Sequence, residues 1–287
     1  MIEYTETVVR CTLGQEEREV MAAEAVDKIK KDINDEKTRR SNLTRADLEK
    51  AYLELENNNF DSGMRIKFAA DLAESNEISY HYKLIIKDWE QNLNLYLENG
   101  FYKHDREGIV LLLGKLNENI DEKVKVYTAY LLAKVLSQLK HREFYLPFCN
   151  KACDILVSLL DINDDNLRCK VIIALGWIGS SNEIELLMHQ MLCDEEAICR
   201  AWSASSLMQM MFHRVKMEEL QEKTKLSFFE GISSEMDLYA SGIMIEAAQT
   251  IFGKRWISSS AVESEEPAAI EKARKSAVRF YGSNQDC

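Results

Sequence analysis

Between Asp164 and Met210 the chain states one pattern twice. The first copy runs Asp164-Asp165-Asn166-Leu167-Arg168 and continues as Cys169-Lys170-Val171-Ile172-Ile173-Ala174-Leu175-Gly176-Trp177-Ile178-Gly179. The second runs Asp194-Glu195-Glu196-Ala197-Ile198-Cys199-Arg200 and continues as Ala201-Trp202-Ser203-Ala204-Ser205-Ser206-Leu207-Met208. Each is acid, then arginine, then a small and apolar helical stripe. Arg168 and Arg200 lie 32 residues apart, a period of helical-hairpin arrays. One amphipathic hairpin cannot bury its apolar side alone, so such a repeat demands neighbours stacked on both sides. The expected fold class is all-α, an α-α superhelix (solenoid) of antiparallel helical hairpins.

Composition agrees. Of 287 residues only Pro147 and Pro267 are prolines, and glycine is sparse. A β-rich chain needs far more turn punctuation and β-branched alternation. The spacing of apolar residues predicts a charged helix from Glu16 to about Thr38, with Val20, Ala23, Val26, Ile29 and Ile33 on one face. An exposed break at residues 37–42 follows, then a helix capped by Thr44 and Asp47. Asn57-Asn58-Asn59 marks a turn, and Asp61 to Arg65 opens an earlier copy of the acid-to-arginine pattern. A long helix is expected from Ile78 to Leu97, closed by Asn99-Gly100.

From there hairpins become regular: 107–116 with 121–139, 143–160 with 164–178, 182–192 with 194–212, and 217–231 with 235–252. Lys125, Arg168, Arg200 and Tyr239 are placed in the arginine slot of the four second helices. The division expected is 1–42, an N-terminal helix and break; 43–257, the solenoid; and 258–287, a linker with a short basic helix or weakly packed tail.

The first copy resembles a HEAT repeat, close to the short HEAT-like units first noted in phycobilin lyases. There the second helix opens on Asp, often Asp-Pro, carries Val-Arg, and closes on Ala-Leu-Gly-x-Ile/Leu-Gly. Here Leu167-Arg168 stands for Val-Arg, Asp165 replaces the proline, and Ala174 to Gly179 supplies the ending. The second copy lacks the closing glycines. The resemblance implies that Arg168 and Arg200 pair with acids of neighbouring hairpins. It also implies that second helices, with Trp177 and Trp202, line the concave side of the array.

Chemistry-bearing patterns are sparse. The five histidines never stand at metal-ligand spacing, which reads as exposed or locally bonded rings. Seven cysteines, without any CxxC, read as small buried hydrophobes kept reduced. Nucleotide-binding, GxSxG and kinase signatures are missing. No catalytic, cofactor or metal residues are therefore assigned. Partner-binding residues are assigned to Trp177, Trp202, Arg168, Arg200 and Tyr239.

The net charge of −12 disfavours nucleic acid; the acid excess reads first as a device for solubility and, as the alternative, as complement to a protein partner with a basic surface. The N-terminus has no basic segment followed by an apolar one, and no apolar run approaches a membrane span, so a cytoplasmic protein is expected. The reading is a non-catalytic adaptor, scaffold or inhibitor, with toxin-neutralising immunity proteins as one subclass. The alternatives are a bilin-lyase-like enzyme and a DNA glycosylase of the HEAT type.

Overall fold

The computed structural model describes residues 15–282. All regular elements among them are helical, with no strand. The chain forms two compact units, Met1–His104 and Asp105–Cys287. Cys11 and Cys287 lie outside the described residues.

The first unit contains α1 (Gln15–Ser41), α2 (Arg45–Asn57), α3 (Ser62–Glu74), α4 (Ile78–Gln91) and a 3₁₀ segment, Leu97–His104. The capping box at Thr44 forms: Thr44 Oγ1 accepts from the Asp47 N–H, and the Thr44 N–H donates to the Asp47 carboxylate at 2.9 Å. The break expected at residues 37–42 starts later, because α1 continues to Ser41 and its end is tied to α3. Arg39 and Arg40 pair with the buried Asp71, and Arg40 also reaches Glu74 at 3.1 Å. Val26, Ile29 and Ile33 of α1 stay exposed, at 48%, 57% and 61%.

The long helix expected through Leu97 ends at Gln91 instead. Asn92 and Asn94 take positive φ, which asparagine tolerates better than most residues. The Asp88 carboxylate then captures the Leu95 N–H at 3.0 Å, turning the chain away from the helix axis. Gly100 is thus no helix cap. A Cβ there would sit 2.6 Å from Ala73 Cβ, so its bareness lets the 3₁₀ segment lie against α3.

The second unit contains α5 (Asp105–Leu116), α6 (Glu122–Gln138), α7 (Tyr145–Val157), α8 (Asp165–Ile178), α9 (Ile184–Cys193), α10 (Ala197–Met210), α11 (Met217–Ser234), α12 (Leu238–Ile251), α13 (Ser259–Glu263) and α14 (Pro267–Gly282). Each first helix packs on its second: α5 on α6, α7 on α8, α9 on α10, α11 on α12. The second helices also pack on one another in the order α6, α8, α10, α12. That row is the spine of the array. Leu131, Leu132, Ile172, Leu175, Ala204, Leu207, Ile245 and Ala248 are fully buried along it.

Small residues set how close the row packs. A Cβ on Gly176 would lie 2.8 Å from Ser206 Cα, so α8 and α10 touch nearly backbone to backbone. Ser206 Oγ donates across this contact to Ile172 O at 2.9 Å.

Of the short basic helix and the weakly packed tail expected after residue 258, the structure forms the helix, α14, and packs it. Its Ile270, Ala273, Ala277 and Tyr281 are buried against α11 and α12. Arg274 donates to the carbonyls of Ile232 and Glu235 at 3.2 and 2.7 Å, satisfying groups that the end of α11 leaves open. Terminal repeats need such a cover over their apolar flank.

Candidate functional site

The second helices share one register, fixed by how each begins. Asp121, Asp164 and Asp237 cap α6, α8 and α12 through side-chain bonds to Lys123 N, Leu167 N and Ala240 N. Glu196 holds the same place before α10 without a side-chain cap. The carboxylates satisfy orphan N–H groups and face the positive helix end. Counting four residues on gives the slot position: Lys125, Arg168, Arg200 and Ser241. Each of these donates its backbone N–H to the capping residue's carbonyl, at 2.8, 2.8, 3.1 and 3.0 Å. Tyr239, placed in the slot from sequence, is therefore two residues early, and Ser241 occupies it. The first unit repeats the start at Asp61, whose carbonyl takes the Arg65 N–H at 2.8 Å.

In the slot, Arg168 and Arg200 form a ladder. Arg168 clamps Asp194 with Nε and Nη2 at 2.8 and 2.9 Å and donates Nη1 to Ile162 O at 2.9 Å. Arg200 clamps Glu235 the same way, at 2.6 and 2.9 Å, and donates Nη1 to Asp194 O at 2.8 Å. The acids are equivalent too. Asp194 accepts from the Glu196 N–H and Glu235 from the Asp237 N–H, each two residues on. Both carboxylate side chains are 3% exposed. Burial pushes the Glu235 carboxyl up, but Arg200 and the Asp237 N–H outweigh it and hold it below its ordinary value. Each rung joins one hairpin to the next, as the repeat resemblance implied.

The same register defines a common open face. Two, six, nine and thirteen residues after each cap fall Lys123, Tyr127, Tyr130 and Lys134 on α6; Asn166, Lys170, Ile173 and Trp177 on α8; Ile198, Trp202, Ser205 and Gln209 on α10; and Tyr239, Ile243, Glu246 and Thr250 on α12. This 3–4 spacing is one helix face. All but Tyr127 are exposed or half-buried, while most of the other residues on these helices are buried. Trp177, Trp202 and Tyr239 all fall on this face, in three adjoining helices. Arg168 and Arg200 do not; their guanidinium groups are engaged in the ladder.

The face is aromatic and mixed in charge. Trp177 packs on Tyr130 with ring centroids 5.1 Å apart, and Lys170 lies over the Tyr130 ring at 5.0 Å. Three lysines and one glutamate occupy it, so the acid excess of the chain lies elsewhere. Lys170, Ile173, Ile198 and Ile243 were not singled out from sequence. The signal that finds them is the capping register, applied to every second helix.

A second polar cluster lies in the first unit. His81 and His104, read from sequence as isolated rings, meet with Nδ1 and Nε2 at 2.9 Å. His81 Nε2 lies 2.9 Å from Leu97 O, an acceptor only, so that nitrogen carries the proton and Nδ1 accepts from His104. Burial, with His104 beside it, lowers His81 to about 3, and burial lowers His104 to about 4.

Stacked hairpins, a row of second helices and a repeated inter-hairpin rung define an α-solenoid. Residues 110–208 match the family model of HEAT repeats, and this stretch of the chain is a HEAT-repeat array. None of the curated proteins and none of the solved structures matches the chain. Among the described residues no helix is long and apolar enough to cross a membrane.

Proposed function

We propose that the second unit is a non-catalytic protein-binding module that grips its partner on the open face of α6, α8, α10 and α12. HEAT repeats generally mediate protein interactions, which is the class-level support. The observation that carries the reading is the convergence of Trp177, Trp202 and Tyr239, half-buried, on one surface. Rigid aromatic side chains of this kind anchor interfaces because they offer large contact area at little entropic cost. Arg168 and Arg200 act behind that surface by fixing its spacing.

Net charge alone favours a basic partner, but this face carries Lys123, Lys134 and Lys170 against Glu246. We therefore propose a partner segment anchored by apolar side chains rather than one recognised by charge. An adaptor, scaffold or inhibitor acting in the cytoplasm fits this surface. The test is affinity capture from source-cell lysate by the intact protein beside its Trp177→Ala and Trp202→Ala variants. The reading requires a protein retained by the parent and lost from both variants at unchanged helicity. Equal retention by all three would refute it.

A further inference from the structure

Cys169 on α8 and Cys199 on α10 bring their Sγ atoms to 3.2 Å, although 30 residues separate them. Both thiols are free and buried. A disulfide needs about 2.0 Å, so the sulfurs have about 1.2 Å to close. The surrounding helices hold them ready. Gly176 against Ser206, and Ser206 Oγ on Ile172 O, fix α8 against α10 within about two turns of the pair. Cys199 also contacts Asp165 O at 3.6 Å, and the Arg168–Asp194 rung lies beside the pair.

We propose that Cys169 and Cys199 are an oxidation site for a small hydroperoxide, which joins the two central second helices by a reversible disulfide. The Cys169 sulfur attacks one peroxide oxygen, the O–O bond breaks, and the leaving oxygen departs as water or alcohol after taking a proton. Cys169 is then a sulfenic acid, oxidised by two electrons. The Cys199 sulfur attacks it, the S–O bond breaks, and the hydroxyl leaves as water with the Cys199 proton. A dithiol reductant reverses the result by exchange.

The electrostatics assign the order. A hydrogen bond from Cys199 and the nearby Arg168 charge lower the Cys169 thiol despite burial, Asp194 and Asp165. Cys199 is pushed up by its contact with Cys169 and by burial. The other described thiols lack such a partner arrangement. Burial pushes Cys149 and Cys153 to about 11 and about 12, and Cys193 is exposed.

The test is brief exposure of the intact protein to a few equivalents of hydrogen peroxide, then alkylation and mass analysis. Expected is an intact mass about 2 Da lower before alkylation, a tryptic species joining the Cys169 and Cys199 peptides, and a melting temperature raised by several degrees. Dithiothreitol reverses all three. Cys199→Ser stops at a sulfenic acid on Cys169 that dimedone traps, and Cys193→Ser leaves the cross-link intact. The proposal is overturned if peroxide leaves both cysteines alkylatable after unfolding, or if the cross-link joins other thiols. The peptide map of the parent protein decides this without relying on either variant.

Discussion

The two compact units bury polar groups by different means. Residues 105–282 use a device that repeats: an arginine four residues into a second helix, clamped on an acid of the next hairpin. Residues 15–104 use one-off contacts. There a neutral histidine pair meets Leu97 O, Asp71 gathers two arginines, and Asp88 catches a loop N–H. Positive φ at Asn59, Phe60, Asn92, Asn94 and Tyr96 gives the first unit irregular turns, while in the second it falls at Asp105, Gly253 and Glu265, outside the repeated cap-and-slot stretch from α6 to α12. The HEAT model matches inside the second unit alone. Repetition leaves a signature a family model can find, whereas idiosyncratic burial leaves none.

The difference has an acid test. His81 and His104 are neutral when folded and take up protons near pH 6.5 when unfolded. Their contribution is complete above pH 6.5 and is lost as pH falls toward their folded values of about 3 and about 4. Two such groups give a slope of up to about 2.7 kcal/mol per pH unit between those limits. Hydrogen exchange of the intact chain at pH 7 and pH 5 should show protection falling over residues 78–104 well before α8 and α10. Equal losses in both regions would erase the contrast.

Breaking the ladder is the next largest effect. Arg200→Met strands the buried Glu235 and should cost about 3–5 kcal/mol in urea unfolding, with Glu235→Leu in the same chain recovering most of it. A double variant no better than the single would deny the rung its role. Gly176→Val forces α8 from α10 and should cost about 2–3 kcal/mol; a change under half that would mean the two helices can part freely. The smallest change is at Ser241, whose buried Oγ has no hydrogen-bond partner among the described residues. Ser241→Ala should be neutral or stabilising by up to about 1 kcal/mol, and a clear loss would show that the slot needs a polar group there.

The hairpins of the second unit were legible because apolar spacing, acidic caps and the slot arginines all state the same helices. Trp177, Trp202 and Tyr239 could be picked as aromatic residues on second helices. Their convergence on one face needed the register. Tyr239 was misplaced in the slot because Glu235 and Asp237 both look like caps, and only the Asp237 bond to Ala240 N decides between them. In α14 the basic residues Lys272, Arg274, Lys275 and Arg279 mark a polar segment, whereas its packing rests on the sparse stripe of Ile270, Ala273, Ala277 and Tyr281. The histidine pair had no local signal. Its members are 23 residues apart and meet only because the chain turns back after Asn92.

In the second unit, α6, α8, α10 and α12 are successive equivalents in one row. Nitroxide labels two residues after each cap, at Lys123, Asn166, Ile198 and Tyr239, measure it by electron-electron resonance. Helices pack about 8–10 Å apart. The row then predicts about 20 Å for 123 to 198 and for 166 to 239, and about 30 Å for 123 to 239. A 123-to-239 distance no longer than 123 to 198 would contradict the stacking on which the binding face depends.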